Sequence, residues 1–261
     1  MVIEPKVKGF ICITAHPDGC EENVRRAVEY SLSHKKKSDN GPKNVLIIGS
    51  STGYGLASRI TAAFAFGAAT VGVSYERPSS GKRTASAGWY NNAAFDKYAK
   101  KYNLPFATLN GDAFSDDMKN TTIEAIKNTM PGKKLDMIIY SVAAPKRTDP
   151  RTGEVYSSVL KPIGKPYSEK SVDFHTGKVS SVSLEPATEE EILGTVKVMG
   201  GEDWLMWINA LKQNDLIADN AVTLAYSYTG PELTHAVYKD GTIGRAKIDL
   251  EEKARDIDNL L

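Results

Sequence analysis

Tyr238 and Lys247 bracket the stretch "YKDGTIGRAK", and together they are residue types that can move a proton. A phenol titrates near ~10, and a neighbouring ammonium favours its phenolate form. Such a pair can polarise a carbonyl, supply a proton and offer the ammonium to a ribose hydroxyl. On one continuous helix, residues nine apart lie on roughly opposite faces, because each advances about 100°. Asp240-Gly241 is a turn signal, so Tyr238 is expected ahead of a helix and Lys247 in its early turns. The intervening loop can then fold one side chain towards the other.

A second cluster lies far upstream. The string "GSSTGYG" at 49–55 sits between a short apolar run, "NVLIIGS", and a helical segment, "GLASRITAAFAFG". Gly49, Gly53 and Gly55 let backbone approach a pyrophosphate at a helix amino terminus, while Ser50, Ser51 and Thr52 offer donors. The alternative is a tight structural turn. Glu76, about twenty residues beyond the glycines, is placed to accept from adenosine ribose hydroxyls and to repel a 2′-phosphate. That favours NAD(H) over NADP(H), although Arg77 follows immediately and can reach a phosphate. Asp112 is placed either to accept from an adenine amino group or to serve a turn or helix start. "YSVAAP" offers small residues where a nicotinamide ribose would pass.

These residues need elements to hold them. "NVLIIGS", "TVGVSYE", "FATLNGD", "LDMIIYSVAAP" and "AVTLAYSY" read as five strands. Helices are expected between them in "GLASRITAAFAFG", "WYNNAAFDKYAKKY" and "DMKNTTIEAIKNTM", at about 188–199 and 202–213, and finally in "TIGRAKIDLEEKARDIDNLL". Short apolar runs alternating with helices predict βαβ units, so the fold class is α/β: a Rossmann-type doubly wound parallel sheet flanked by helices. A single domain over 1–261 is expected, with an extension at 1–43 ("FICIT" as a short strand, a helix from about Glu21 to His34) and an insertion at 145–186. In that insertion "SVDFHTGKVSSVSL" predicts a β-hairpin turning at Thr176-Gly177 near the carboxyl edge of the sheet.

Bulk properties narrow the partners. Among 261 residues, 33 Lys and Arg nearly balance 32 Asp and Glu, which gives no electrostatic reason for nucleic acid or an anionic membrane. No apolar run approaches the ~20 residues of a membrane span, and "MVIEPKVKGF" lacks a signal peptide's apolar stretch. Two cysteines fit a reducing compartment, so a cytoplasmic location is expected. Lys35-Lys36-Lys37 reads as a solvated helix end. Cys12, His16 and Cys20 recur every four residues, but Pro17 interrupts that spacing and no fourth ligand is evident, so no metal is expected. His235 is either a relay residue or a loop histidine, and Trp204 and Trp207 are expected in a core.

The stretches "HPDGC", "GSSTGYGLASRI", "GVSYE", "GWYNN", "GDAFSD", "YSVAAPKRTDP", "VKVMGGEDW", "AYSYTGPELTHAVY" and "GTIGRAK" carry a family likeness. The chain resembles the FabV-type trans-2-enoyl-ACP/CoA reductases of the wider short-chain dehydrogenase/reductase group. That resemblance implies an oxidoreductase acting on CH–CH bonds, reducing an enoyl-ACP or enoyl-CoA to the saturated thioester with NADH in fatty acid synthesis. It implies Tyr238 as proton donor, Lys247 as its cofactor-binding partner and Tyr228 as a substrate contact. Gly49, Ser50, Ser51, Thr52, Gly53, Tyr54, Tyr75, Glu76, Asp112, Ala113, Val142 and Ala143 match the family's NAD-contacting positions. A monomer is expected. Family members continue past "DNLL", so a further strand, another NAD contact and part of the substrate wall are expected to be missing here. A short-chain carbonyl or alcohol dehydrogenase and a nucleotide-binding module without turnover remain the alternatives.

Overall fold

Strands that read as unbroken apolar runs need cover on both faces, and the computed structural model supplies it. It describes residues 2–8, 11–35, 41–173 and 175–261. Two units divide it, Met1–Val142 with Asn209–Tyr226, and Ala143–Ile208 with Ser227–Leu261.

In the first unit β1 (Asn44–Ile48), β2 (Ala69–Ser74), β3 (Phe106–Asn110), β4 (Leu135–Tyr140) and β5 (Ile217–Ala225) form one parallel sheet in the order 3-2-1-4-5. Ile48 pairs with Val73 on one side and Tyr140 on the other, so three carboxyl ends finish level. The chain builds outward from β1 through β2 and β3, then returns to β4 on the opposite side. Right-handed crossovers therefore put α2 (Gly53–Ile60) and α3 (Ala87–Lys101) on one face and α4 (Asp116–Thr129) on the other. The reversal leaves a topological switch point between β1 and β4, where open α/β sheets bind ligands.

The five strands are the expected ones with shifted ends. Tyr75 and Glu76 follow β2 rather than close it, and β5 starts at Ile217 and stops before Tyr226. α1 spans Pro17–Ser33, four residues earlier than expected. Pro17 opens this helix instead of interrupting it, because a first-turn residue has no intrahelical N–H bond to lose. Val24 and Val28 of α1 pack on Ile60, Phe64, Phe95 and Tyr98. The helix expected after the glycine string is α2 followed by a wider π-type turn over Thr61–Ala65. From "FICIT", Ile11–Cys12 pairs with Val7–Lys8, while Phe10, like Lys36, Lys37 and Phe174, lies outside the described residues.

The second unit contains the expected hairpin, with Tyr167–Val172 antiparallel to Val179–Leu184, and a shorter pair of Lys146–Thr148 with Val155–Ser157. α5 (Glu189–Met199) starts with a capping box between Thr188 and Glu191, a device worth about 1 kcal/mol. α6 (Glu202–Gln213) begins here with Trp204 and Trp207 buried, and α7 (Thr242–Asp258) packs along α5. Among the described residues no helix is long and apolar enough to cross a membrane, and no group of three or more His, Cys, Asp or Glu could hold a metal ion.

Candidate active site

The glycine turn is tied to strands on both sides. The N–H groups of Gly49 and Ser50 donate to Val73 O at 2.9 and 3.0 Å, and Ser141 N donates to Ile48 O at 2.7 Å. Gly49 has φ +91°, and a Cβ there would lie 2.1 Å from Ser141 O, so only glycine fits between β1 and the end of β4. Ser50 and Ser51 are buried, whereas Thr52, Gly53 and Tyr54 are exposed at the start of α2. Thr52, the N-cap, makes no side-chain cap bond, while Ser115 caps α4 and Thr188 caps α5. The first N–H groups of α2 have no intrahelical acceptor and point at the carboxyl edge of the sheet. This donor set, with open space where a Gly53 side chain would stand, fits the phosphates of a dinucleotide. The Tyr54 ring, 74% exposed, stacks on Tyr226 at 5.2 Å, and the Tyr226 hydroxyl hydrogen-bonds Ser58 Oγ at 2.6 Å.

Glu76 is held by both its main chain and its carboxylate. Its N–H donates to Asn110 Oδ1 at 2.7 Å, and Asn110 Nδ2 donates back to Glu76 O at 3.0 Å. One carboxylate oxygen accepts from Ser51 Oγ and the other from Ser86 Oγ, each at 2.5 Å. Tyr75 beside it is exposed. Asp112 Oδ1 accepts the N–H of Phe114 at 3.0 Å, so the aspartate closes a turn ahead of α4. Ala113 follows it, and its carbonyl accepts from the buried Lys119. Val142, half-buried, ends the first unit's leading segment, and Ala143, exposed, opens the second unit.

In the second unit Tyr238 lies in the turn before α7, and Lys247 is the sixth residue of that helix, the arrangement expected from Asp240-Gly241. The Tyr238 carbonyl accepts from Gly244 N at 2.7 Å and Gly241 N at 3.3 Å. Thr242, the first residue of α7, donates from Oγ1 to Val159 O and from its N–H to Lys161 O, pinning the helix start. Lys247 is only 8% exposed, and its Nζ donates to Met199 O at 3.4 Å. Burial pushes its ammonium below the ordinary lysine range. Tyr228 meets the Tyr238 ring edge-on at 5.4 Å, while His235 bonds through its backbone within the loop.

Several residues of consequence carried no sequence motif. Arg59 of α2 is fully buried, its Cζ 3.9 Å above the Phe95 ring and its Nη2 donating to Ala107 O and Thr108 Oγ1 at 2.8 and 2.9 Å. Thr108 in turn donates to Asp96. Burial pushes the Arg59 guanidinium down to about 10 and the Asp96 carboxyl up, so arginine remains a cation at neutral pH. A Cβ on Gly72 would lie 2.6 Å from both the guanidinium and Ser50 Oγ. A glycine inside an apolar strand signals such a close approach, and that was the available clue.

A 3-2-1-4-5 parallel sheet with an open glycine turn at its switch point defines a Rossmann-type nucleotide-binding protein. Residues 83–261 match the family described as trans-2-enoyl-CoA reductase catalytic region, and residues 2–81 match the NAD(P)H binding domain of trans-2-enoyl-CoA reductase. The chain is 57% identical over all 261 residues to the trans-2-enoyl-CoA reductase [NADH] of Ruminiclostridium cellulolyticum, covering 65% of that protein. It is 56% identical to the enoyl-[acyl-carrier-protein] reductase [NADH] of Coxiella burnetii, covering all of this chain and 64% of that protein. The crystal structure of Treponema denticola trans-2-enoyl-CoA reductase in complex with NAD superimposes with a TM-score of 0.95 at 49% identity, over 99% of this chain and 65% of that one. The chain belongs to the trans-2-enoyl-CoA reductase family. It spans about 65% of the length of these relatives.

Proposed function

We propose that this chain carries the cofactor-binding and proton-donating parts of an NADH-dependent enoyl thioester reductase, converting a trans-2-enoyl-ACP or trans-2-enoyl-CoA to the saturated thioester. The observation that carries the reading is the joint anchoring of Tyr238 and Lys247 at the start of α7, in a chain 57% identical to a reductase of that name. Bound NADH supplies the hydride for the β-carbon. The α2 amino terminus with Gly49 to Tyr54 holds the pyrophosphate, and Glu76, with Tyr75, takes the adenosine ribose hydroxyls. Asp112 with Ala113 lines the adenine, and Val142 with Ala143 flanks the nicotinamide ribose. Lys247, stripped of water, gives its ammonium to that ribose. Tyr238 stabilises the charge that develops on the thioester oxygen and then gives up its proton, and Tyr228 contacts the same carbonyl.

The role belongs to fatty acid synthesis in the cytoplasm, with the chain acting as a single-domain monomer. The test is loss of NADH absorbance with crotonyl-CoA alongside simple ketones. Turnover of the enoyl thioester alone supports the reading. Turnover of ketones alone assigns a carbonyl reductase, and NADH binding without any turnover leaves a nucleotide-binding module.

A further inference from the structure

The side chain that reads the adenosine ribose is held by a helix that plays no part in the chemistry. Asn110, at the end of β3, grips the Glu76 main chain through both its amide atoms. Ser51 and Ser86 hold one carboxylate oxygen each, and Asn91 of α3 donates to Ser51 O at 3.0 Å. Ser86 is the N-cap of α3, yet its hydroxyl caps nothing and is turned to Glu76 instead. The carboxylate lies over Gly88, where a Cβ would sit 2.1 Å from Oε1 and 2.3 Å from Cδ.

Beside this clamp the next residue points the opposite way in charge. Arg77 Nη1 is buried and finds no hydrogen-bond partner among the described residues. It lines a cavity of about 290 Å³ together with Arg83, Ser86 and Ala87. A mobile Glu76 could swing away from a 2′-phosphate and leave that group to the two guanidiniums. A clamped one cannot, so its negative charge stays where the 2′-phosphate would have to go.

Resting on the cofactor reading above, we propose that the first turn of α3, through Ser86 and Gly88, sets the preference for NADH over NADPH by locking the rotamer of Glu76. Ser86 and Gly88 are positioning residues that act through that carboxylate, and Ser86 Oγ also accepts the Arg77 N–H at 3.1 Å. A Gly88 Cβ would displace the Glu76 carboxylate, the far end of a flexible side chain, and would also press on Ser51 Cβ at 2.8 Å, so Gly88→Ala frees the carboxylate at the cost of strain against the glycine turn.

The experiment measures Kd for NADH and for NADPH, by nucleotide fluorescence, on this chain and on Gly88→Ala, Ser86→Ala and Ser86→Thr. The parent is expected to bind NADH more tightly. Gly88→Ala and Ser86→Ala each lower the ratio of NADPH Kd to NADH Kd by about tenfold, the scale of a lost hydrogen bond to a charged group. Ser86→Thr, which keeps the hydroxyl, restores the parent ratio. A purely structural role weakens both nucleotides together, and an unchanged ratio in folded Ser86→Ala overturns the proposal. If Gly88→Ala does not fold, the two Ser86 variants decide. A parent that binds neither nucleotide overturns the cofactor reading itself, an outcome visible before any variant is compared.

Discussion

The backbone carbonyl of Tyr238 accepts the N–H of Gly244 at 2.7 Å, so the main chain of Tyr238 closes the first turn of the helix that carries Lys247. Tyr238, nine residues before Lys247, is tied to the start of that helix by the helix's own orphan donors rather than by a shared face. Lys247 stands three residues beyond Gly244, close to one turn.

Gly244 makes this junction possible, because a Cβ there would lie 1.8 Å from Lys239 O and 2.8 Å from Tyr238 O. Both are main-chain atoms and cannot yield cheaply. Alanine in a helix ordinarily gains up to about 1 kcal/mol over glycine, but overpacking of this kind costs about 1–3 kcal/mol. We expect Gly244→Ala to lower the denaturant midpoint and to reduce kcat more than NADH affinity, measured by steady-state kinetics and fluorescence titration.

Burial of the Lys247 ammonium costs stability. Its folded pKa is lowered by burial, so the unfolded chain binds more protons between that value and the ordinary ~10.4. Stability therefore rises with pH across that window, and the full penalty is present below it. Lys247→Met is expected to raise the melting temperature of the ligand-free protein at pH 7, by an amount that shrinks as pH approaches 10, while NADH binding weakens. Scanning calorimetry at the two pH values measures this.

Arg59 and Gly72 form a matched pair beneath the glycine turn. Arg59→Ala removes a buried cation, its contact with Phe95 and the partner of Thr108, and is expected to cost about 3–5 kcal/mol. Gly72→Ala intrudes on the guanidinium and Ser50 and is expected to cost about 1–3 kcal/mol. Denaturant unfolding checks both. The double variant should cost less than the sum, since the residues are in contact.

Local signals were legible because local chemistry decides them. Asp240-Gly241 marked the turn ahead of α7, and Gly49 to Gly55 marked the start of α2, both positions where the backbone makes a demand few residues meet. The strand end is displaced where strand-forming residues continue past the pairing, as at Tyr228. Pro17 opens α1 rather than breaking it, because the same residue ends or begins a helix according to which turn it occupies. The strand order, the burial of Lys247 beside Met199 and the grip of Ser86 on Glu76 depend on contacts distant in sequence. No spacing along the chain encodes them.

Conversion of Tyr238 to phenylalanine tests the central claim most directly, since it removes one hydroxyl and leaves the backbone carbonyl that caps α7. Single-turnover reduction of crotonyl-CoA by bound NADH is predicted to slow by about 10²–10⁴-fold, the usual share of a positioned proton donor, with NADH affinity unchanged. Undiminished turnover in Tyr238→Phe would contradict the account.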